Sequence, residues 1–275
     1  VGAYSKALQL LKKIENINQF DYLIRISKWS DHQGDLSAAI RYMQKALAIA
    51  NSRKNLALQI WTNSNIADYY GHQGDIKASY NHYLKTLALQ PDNAYAKKGI
   101  AWILYSKEYN TAQASELIDH LLANHNLPDY YLLKAEMASY QGDSVLSEEY
   151  MQQFFTLANN PLYGDMYNTH KIMALVKTDP YKALQLARKE VDNRTTPQSY
   201  QLLALAQLAS NLKQEALATI TSFVAGKTSD PMALLHSAQV YKANGMLDKV
   251  TALKTTLLPA RYELGPEVFK QVTAL

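Results

Sequence analysis

Small and apolar residues recur at helical spacing along almost the whole chain, and short polar turns rather than strand-like alternation separate the runs. The stretch NSNIADYYGHQGDIKASYNHYLKTLALQPDN, Asn63–Asn93, shows the unit most plainly. Ile66, Ala67 and Tyr70 share one face of a first helix, and Ser79 and Tyr83 share one face of a second. Gly74-Asp75 joins the two helices and Pro91 ends the unit. Ala67 and Ser79 are small, as two antiparallel helices crossing at short range require, while Ile66, Tyr70 and Tyr83 fill the space beside the crossing. Gly74 supplies the positive φ that lets the chain leave the first helix, and Asp75 is placed to cap the second. One such hairpin cannot bury its own apolar face, so the pattern predicts copies.

The copies are present. Asp31-His32-Gln33-Gly34-Asp35 matches Gly71-His72-Gln73-Gly74-Asp75, Tyr140-Gln141-Gly142-Asp143 echoes both, and Lys242-Ala243-Asn244-Gly245 is a fourth, weaker echo. Gly74 to Gly142 is 142 − 74 = 68 residues, twice 34, and Gly142 to Gly245 is 245 − 142 = 103, three times 34 plus one. Gly34 to Gly74 is 40, one period plus six. The positions Asn63, Ile66, Ala67, Tyr70, Ser79, Tyr83 and Pro91 fall on the W-x2-L-G-x2-Y, A-x3-F and P pattern of the tetratricopeptide repeat, whose period is 34. The chain resembles that family over nearly its whole length. The resemblance implies an all-α, right-handed superhelical solenoid and a binding scaffold.

In chain order, a partial repeat takes residues 1–17, and hairpins follow at 18–53, 58–91, 92–126, 127–161, 162–195, 196–229 and 230–258. The chain begins inside the pattern. Ala3 to Glu15 is predicted to be a second helix without its first, with Ala7, Leu8, Leu11 and Ile14 on one face, as in a fragment or a processed protein. The six extra residues fall near Asn51–Ala57 and are expected to lengthen the flanking helices. The third hairpin turns at Lys107-Glu108-Tyr109-Asn110, and its second helix fits with a one-residue slip through Ala114, Ile118 and Leu121. The hairpin from Tyr163 to Asp192 is the most degenerate, and its first helix fits no register. Asn211 stands where glycine is expected in the sixth, and asparagine tolerates the left-handed conformation. Pro197 and Pro231 each suit a first helical turn. The tail, 259–275, carries Leu264, Val268 and Val272 at helical spacing and is predicted to be a helix capping the open end.

Composition narrows function mainly by exclusion. The net charge is +4 with no long basic run, so nothing demands nucleic acid or an anionic membrane. The absence of cysteine excludes disulfides, thiolate metal sites and a thiol nucleophile. No stretch approaches the ~18 apolar residues of a membrane span, and Val1-Gly2-Ala3-Tyr4 does not open a signal peptide. No phosphate-binding glycine loop, nucleotide fingerprint or Gly-x-Ser-x-Gly occurs. His120 and His125 are five apart and so share no helical face, and no metal or other cofactor is expected.

In the tetratricopeptide family the first helices line the concave side of the superhelix. The resemblance therefore places Lys28, Asp31 and His32, then Trp61, Asn65, Asp68 and His72, then Tyr95, Lys98, Trp102 and Tyr105, then Asp129, Glu136 and Tyr140, on or near a groove. Mixed aromatic and polar side chains on a concave surface suit extended peptides. Trp102, Tyr105 and Lys98, with Asn65 and Asp68, are predicted at its centre. The family's clamp for a C-terminal carboxylate uses Lys, Asn and Arg; here the matching positions hold Ile24, Lys28, Asn65, Tyr95 and Gly99, so only Asn65 fits and chaperone-tail binding is disfavoured. A narrower resemblance, over Leu56–Tyr70, Tyr163–Asn168 and Arg194–Leu203, is to bacterial cell-surface proteins with this repeat and implies export to the envelope. The reading is a non-catalytic protein- or peptide-binding scaffold. A helical-repeat nucleic-acid binder and an enzyme with a site in the groove stay open as alternatives.

Overall fold

Polar residues in the turns set where each helix stops and the next begins. The computed structural model describes residues 4–275, all α-helix and connecting turns with no strand among them. After α1 (Tyr4–Lys13) the helices come in pairs: α2 (Phe20–His32) and α3 (Leu36–Ser52), α4 (Leu56–Gln73) and α5 (Ile76–Leu89), α6 (Ala94–Ser106) and α7 (Thr111–Asn124), α8 (Pro128–Gln141) and α9 (Ser144–Ala158). The later pairs are α10 (Asn168–Thr178) and α11 (Pro180–Asn193), α12 (Pro197–Ala209) and α13 (Lys213–Phe223), α14 (Pro231–Ala243) and α15 (Leu247–Leu257), before a final α16 (Arg261–Thr273). First helices also pack on first helices of the next pair, as α4 does on α6 and α12 on α14.

The turns work as their residues dictate. Gly34, Gly74, Gly142 and Gly245 all have positive φ, between 73° and 90°. Asn211 holds the equivalent conformation at φ 64°, and Tyr109 does so at 57° in the glycine-free third turn. Asp35, Asp75, Asn110, Asp143 and Asp179 then accept the backbone N–H three residues on, capping the second helix. Each such cap is worth about 1 kcal/mol.

Within a pair the helices touch at small residues. Ser27 Oγ donates to the Ala39 carbonyl at 2.7 Å, and Ser147 Oγ donates to the Ala135 carbonyl at 2.9 Å. Ala67 and Ser79 are fully buried at the same positions of the second pair. In the third, Ala101 meets Ala114 with the expected slip, and both are fully buried. Around these crossings Leu23, Met43, Ile66, Ile118 and Ile220 are enclosed, each contributing about 1.5–3 kcal/mol relative to exposure. The six extra residues lengthen α3 and α4 to 17 and 18 residues.

Three expectations need correction. Among the described side chains of α1 only Leu11 is buried; Ala7 faces water, and Ile14 lies beyond the helix end and is 55% exposed. Ala3 lies outside the described residues. The first helix of the fifth pair does form, as the 11-residue α10. Polar anchoring explains why apolar spacing misses it: Asn168 bonds the fully buried Glu190 of α11, and Asp165 bonds Lys189 and Asn193. The irregularity lies instead in the lead-in, with a 3-10 turn at Pro161–Tyr163 and Gly164 at φ 50°.

The tail is the third. Gly265, at φ 76° and ψ 162°, breaks α16 before Pro266. The chain forms two compact units, one of residues 4–147 and 260–266, the other of 148–259 and 267–275. The later half of α16 does close the last pair, where Lys242 and Lys254 donate to the carbonyls of Ala274 and Thr273. The earlier half belongs with the N-terminal unit.

Candidate functional site

The N-terminal unit holds a cavity of about 260 Å3 lined by Asp68, His72, Tyr83, Tyr95, Lys98, Gly99, Trp102, Leu133, Tyr262 and Glu263. Helical spacing assembles it. Asp68 and His72 are one turn apart on α4, and Tyr95, Lys98, Gly99 and Trp102 form a stripe along α6. Tyr83 comes up from α5, and its ring lies where a side chain at position 99 would sit: a Cβ on Gly99 would be 2.2 Å from it.

Asp68 is the electrostatic centre. Tyr83, buried, donates its hydroxyl to Oδ1 at 2.5 Å, and Tyr95, 56% exposed, donates to Oδ2 at 2.6 Å. Burial raises the Asp68 pKa, while the two tyrosine bonds and the charges of His72 and Lys28 oppose that rise. Burial and then the Asp68 charge raise both tyrosine pKa values, so each phenol keeps its proton and acts as donor. Accepting on both oxygens from two donor phenols is the bonding pattern that suits a carboxylate. Its short bonds are of the charge-assisted kind.

The 260–266 segment forms one wall. Trp102 Nε1 donates to the Tyr262 carbonyl at 3.1 Å, and the two rings meet edge-on with centroids 6.5 Å apart. Tyr262 lies against Gly71, where a Cβ would be 2.7 Å from its ring. Arg261 sits 5.2 Å over the Tyr109 ring. At Gly265 a Cβ would lie 2.6 Å from the Trp102 ring and 2.8 Å from the Glu136 carboxylate.

No family model and no curated protein matches this sequence. Solved structures do resemble it. A human IFIT1 dimer with m7Gppp-AAAA aligns over 94% of this chain and 65% of that one, at 17% identity and a TM-score of 0.54. The fold is tetratricopeptide-like. This chain spans 65% of the IFIT1 chain's length. A tetratricopeptide repeat protein from Parabacteroides merdae ATCC 43184 aligns over 92% of this chain and 98% of that one, at 12% identity and a TM-score of 0.49.

Within this tetratricopeptide-like scaffold, five of the sequence-derived residues line one cavity: Asp68, His72, Tyr95, Lys98 and Trp102. Asp129 borders it through Lys98, 3.6 Å away, and Glu136 accepts from the Tyr105 hydroxyl at 3.1 Å. Tyr105 itself is fully buried. That corrects the expectation of an accessible ring: Tyr105 packs among Ala101, Ala114 and Tyr130 in the core. Asn65 turns its amide back to the Trp61 carbonyl at 2.8 Å and does not line the cavity, so the single match to the carboxylate clamp is spent on its own helix. Trp61, 43% exposed, packs near Phe20 and also stands apart from the cavity. Lys28 pairs with Asp31 at 2.7 Å, and His32 lies exposed at the end of α2.

Sequence reasoning misses Tyr262 and Glu263 because the tail reads as a cap. The signal for them is the Gly265-Pro266 pair inside a supposed helix, which marks a break and frees the preceding turn to pack elsewhere. Tyr83 reads as core and is buried, yet it also lines the cavity and its hydroxyl holds Asp68.

Proposed function

We propose that the chain is a non-catalytic scaffold that binds a protein or peptide segment on the face built by α4, α6 and α8. One observation carries this reading. A stretch of polypeptide, Arg261–Gly265, already lies on that face, held through a backbone carbonyl by Trp102 and through a tyrosine ring by Gly71. The face therefore has the chemistry that recognises main chain and aromatic side chains together. The fold supports a helical-repeat scaffold, and no helix among the described residues is long and apolar enough to cross a membrane. Export to a bacterial envelope, implied by the narrower resemblance, is read out by fractionating cells that make the full-length gene product.

The test is a peptide array probed with the chain and with Trp102→Ala. Peptides held by this face should bind the variant at least tenfold more weakly, about 2 kcal/mol for an aromatic hot spot, at unchanged helix content. Equal binding by the folded variant would move the site elsewhere, and an array without binders would remove the peptide reading. The nucleic-acid alternative is tested beside it with m7Gppp-AAAA, the ligand of the human IFIT1 structure. Asp68, Asp129, Glu136 and Glu263 surround this face with carboxylates and disfavour a phosphate chain. Binding of that probe with a steep salt dependence would favour the alternative instead.

A further inference from the structure

The Asp68 carboxyl meets no cation at ion-pair distance among the described residues; the charges of His72 and Lys28 act on it only from farther off. It accepts on both oxygens from phenols that keep their protons, the bonding pattern of a carboxylate. Its two acceptor bonds come from neutral phenols, which orient the carboxylate and leave its charge in place. A charge taken out of water is costly unless it is compensated. Around it stand the rings of Tyr83, Tyr95, Trp102 and Tyr262, and Glu263 adds a second carboxylate to the lining. Aromatic faces attract cations, most strongly where water is excluded.

Lys98 is the feature to weigh against this. It lines the same cavity, but its Nζ lies 3.6 Å from Asp129, so a third carboxylate offsets its charge. The size is also selective. About 260 Å3 falls below the ~300–1,000 Å3 of sites for drug-sized ligands, and suits the end of a side chain or a small amine.

We propose that this cavity is a receptor for an alkylammonium group, with Asp68 as counter-ion and the rings of Tyr83, Tyr95, Trp102 and Tyr262 as walls. The group is either a free amine or the end of a lysine side chain in a bound peptide; in the second case the inference rests on the peptide-binding reading above. Asp68 supplies the charge, and the two phenols fix the direction of its oxygens. Tyr95 stands at the rim, where a ligand's stem would lie along its exposed ring.

Titration calorimetry on the full chain tests this with three probes: n-butylammonium, a capped peptide with one central lysine, and the same peptide with glutamine there. Saturable binding of the amine, or of the lysine peptide in preference to the glutamine peptide, is expected. Asp68→Asn should weaken that binding about tenfold or more, the scale of a lost charge-assisted contact. Lys98→Met should tighten it, because it removes a like charge from the lining. A purely structural role for these residues would not give opposite signs. Circular dichroism and thermal midpoints establish that each variant is folded, and Tyr95→Ala, at an exposed ring, serves as the loss variant if Asp68→Asn does not fold.

Binding of the amine but of neither peptide leaves the cation site standing and removes the peptide source. Equal binding of the lysine and glutamine peptides, without the amine, overturns the cation site and leaves the peptide reading intact. Loss of binding in Lys98→Met with none in Asp68→Asn would mark an anion site and overturn the proposal. So would the absence of any binding up to tens of millimolar amine.

Discussion

Gly265→Ala is the substitution that most directly tests how the 260–266 segment is held. Gly265 has φ 76° and ψ 162°, a region open almost only to glycine, and forcing another residue there costs about 1–3 kcal/mol. The added methyl would also lie 2.6 Å from the Trp102 ring and 2.8 Å from a Glu136 oxygen. Clearing both moves Trp102, whose indole N–H holds the Tyr262 carbonyl. Overpacking of that kind adds about 1–3 kcal/mol, so the sum is roughly 2–6 kcal/mol. Much of it can be relieved by releasing the segment, so the first signs should be local: trypsin cleavage after Arg261 and a change in tryptophan emission. Gly226→Ala is the control, since Gly226 also has positive φ, 69°, with nothing within 4 Å of an added Cβ. The reasoning is refuted if Gly265→Ala loses no more stability than Gly226→Ala in urea and gains no cleavage at Arg261.

Other outcomes follow from single residues. Tyr105→Ala should cost about 3–5 kcal/mol in denaturant unfolding, because the ring is fully buried among Ala101, Ala114 and Tyr130; a loss of binding at unchanged stability would return Tyr105 to the groove. Asp75→Ala should cost about 1 kcal/mol of stability by removing the cap on Ala78 N–H. Stability should also fall on acidification. Burial lowers the His236 pKa to about 4, so the unfolded chain binds the extra proton first, from pH 6.5 downward, and the loss completes near pH 4. Its full size is about 3 kcal/mol, because each tenfold difference in proton affinity between the folded and unfolded chain is worth about 1.4 kcal/mol. His82, lowered to about 4 by burial and then by Lys85, adds the same sign. Urea midpoints across that range should decline in the wild type and flatten in His236→Gln; a flat wild-type profile would contradict the burial argument.

What is legible in the sequence is whatever depends on neighbours within one hairpin. The turn glycines, Asn211, the Asp75 cap, the Ala67–Ser79 crossing and the slip at Ala114 each need only helical spacing and backbone stereochemistry, and the structure has them all. That five of the named residues share one cavity is legible for the same reason, since a stripe along one helix face can be read from one helix. Accessibility is not. Trp102 and Tyr105 differ by one turn, and only packing against α7 and α8 decides that Tyr105 is enclosed. The α10 helix is hidden because part of its anchoring is polar, the Asn168–Glu190 bond, and the apolar residues it does bury, led by Ile172, are too few to set a register by themselves. The tail misleads because its partner lies far along the chain.

That distance has a kinetic consequence. Contacts at a hairpin crossing, such as Ser27 to Ala39, join residues 12 apart, whereas Trp102 and Tyr262 are 160 apart. Closing the longer loop costs about 2 kcal/mol more chain entropy, taking (3/2)RT ln of the ratio of the two lengths. Hairpins can therefore nucleate and extend locally, and the Trp102–Tyr262 contact should form after the rate-limiting barrier. A contact absent from the transition state leaves the refolding rate almost unchanged and acts on unfolding. Tyr262 should accordingly behave as a late latch: its mutants would refold at the normal speed and come apart faster. The hairpins of the N-terminal unit, which could otherwise fray one at a time, thus acquire a persistence set by a tyrosine far along the chain.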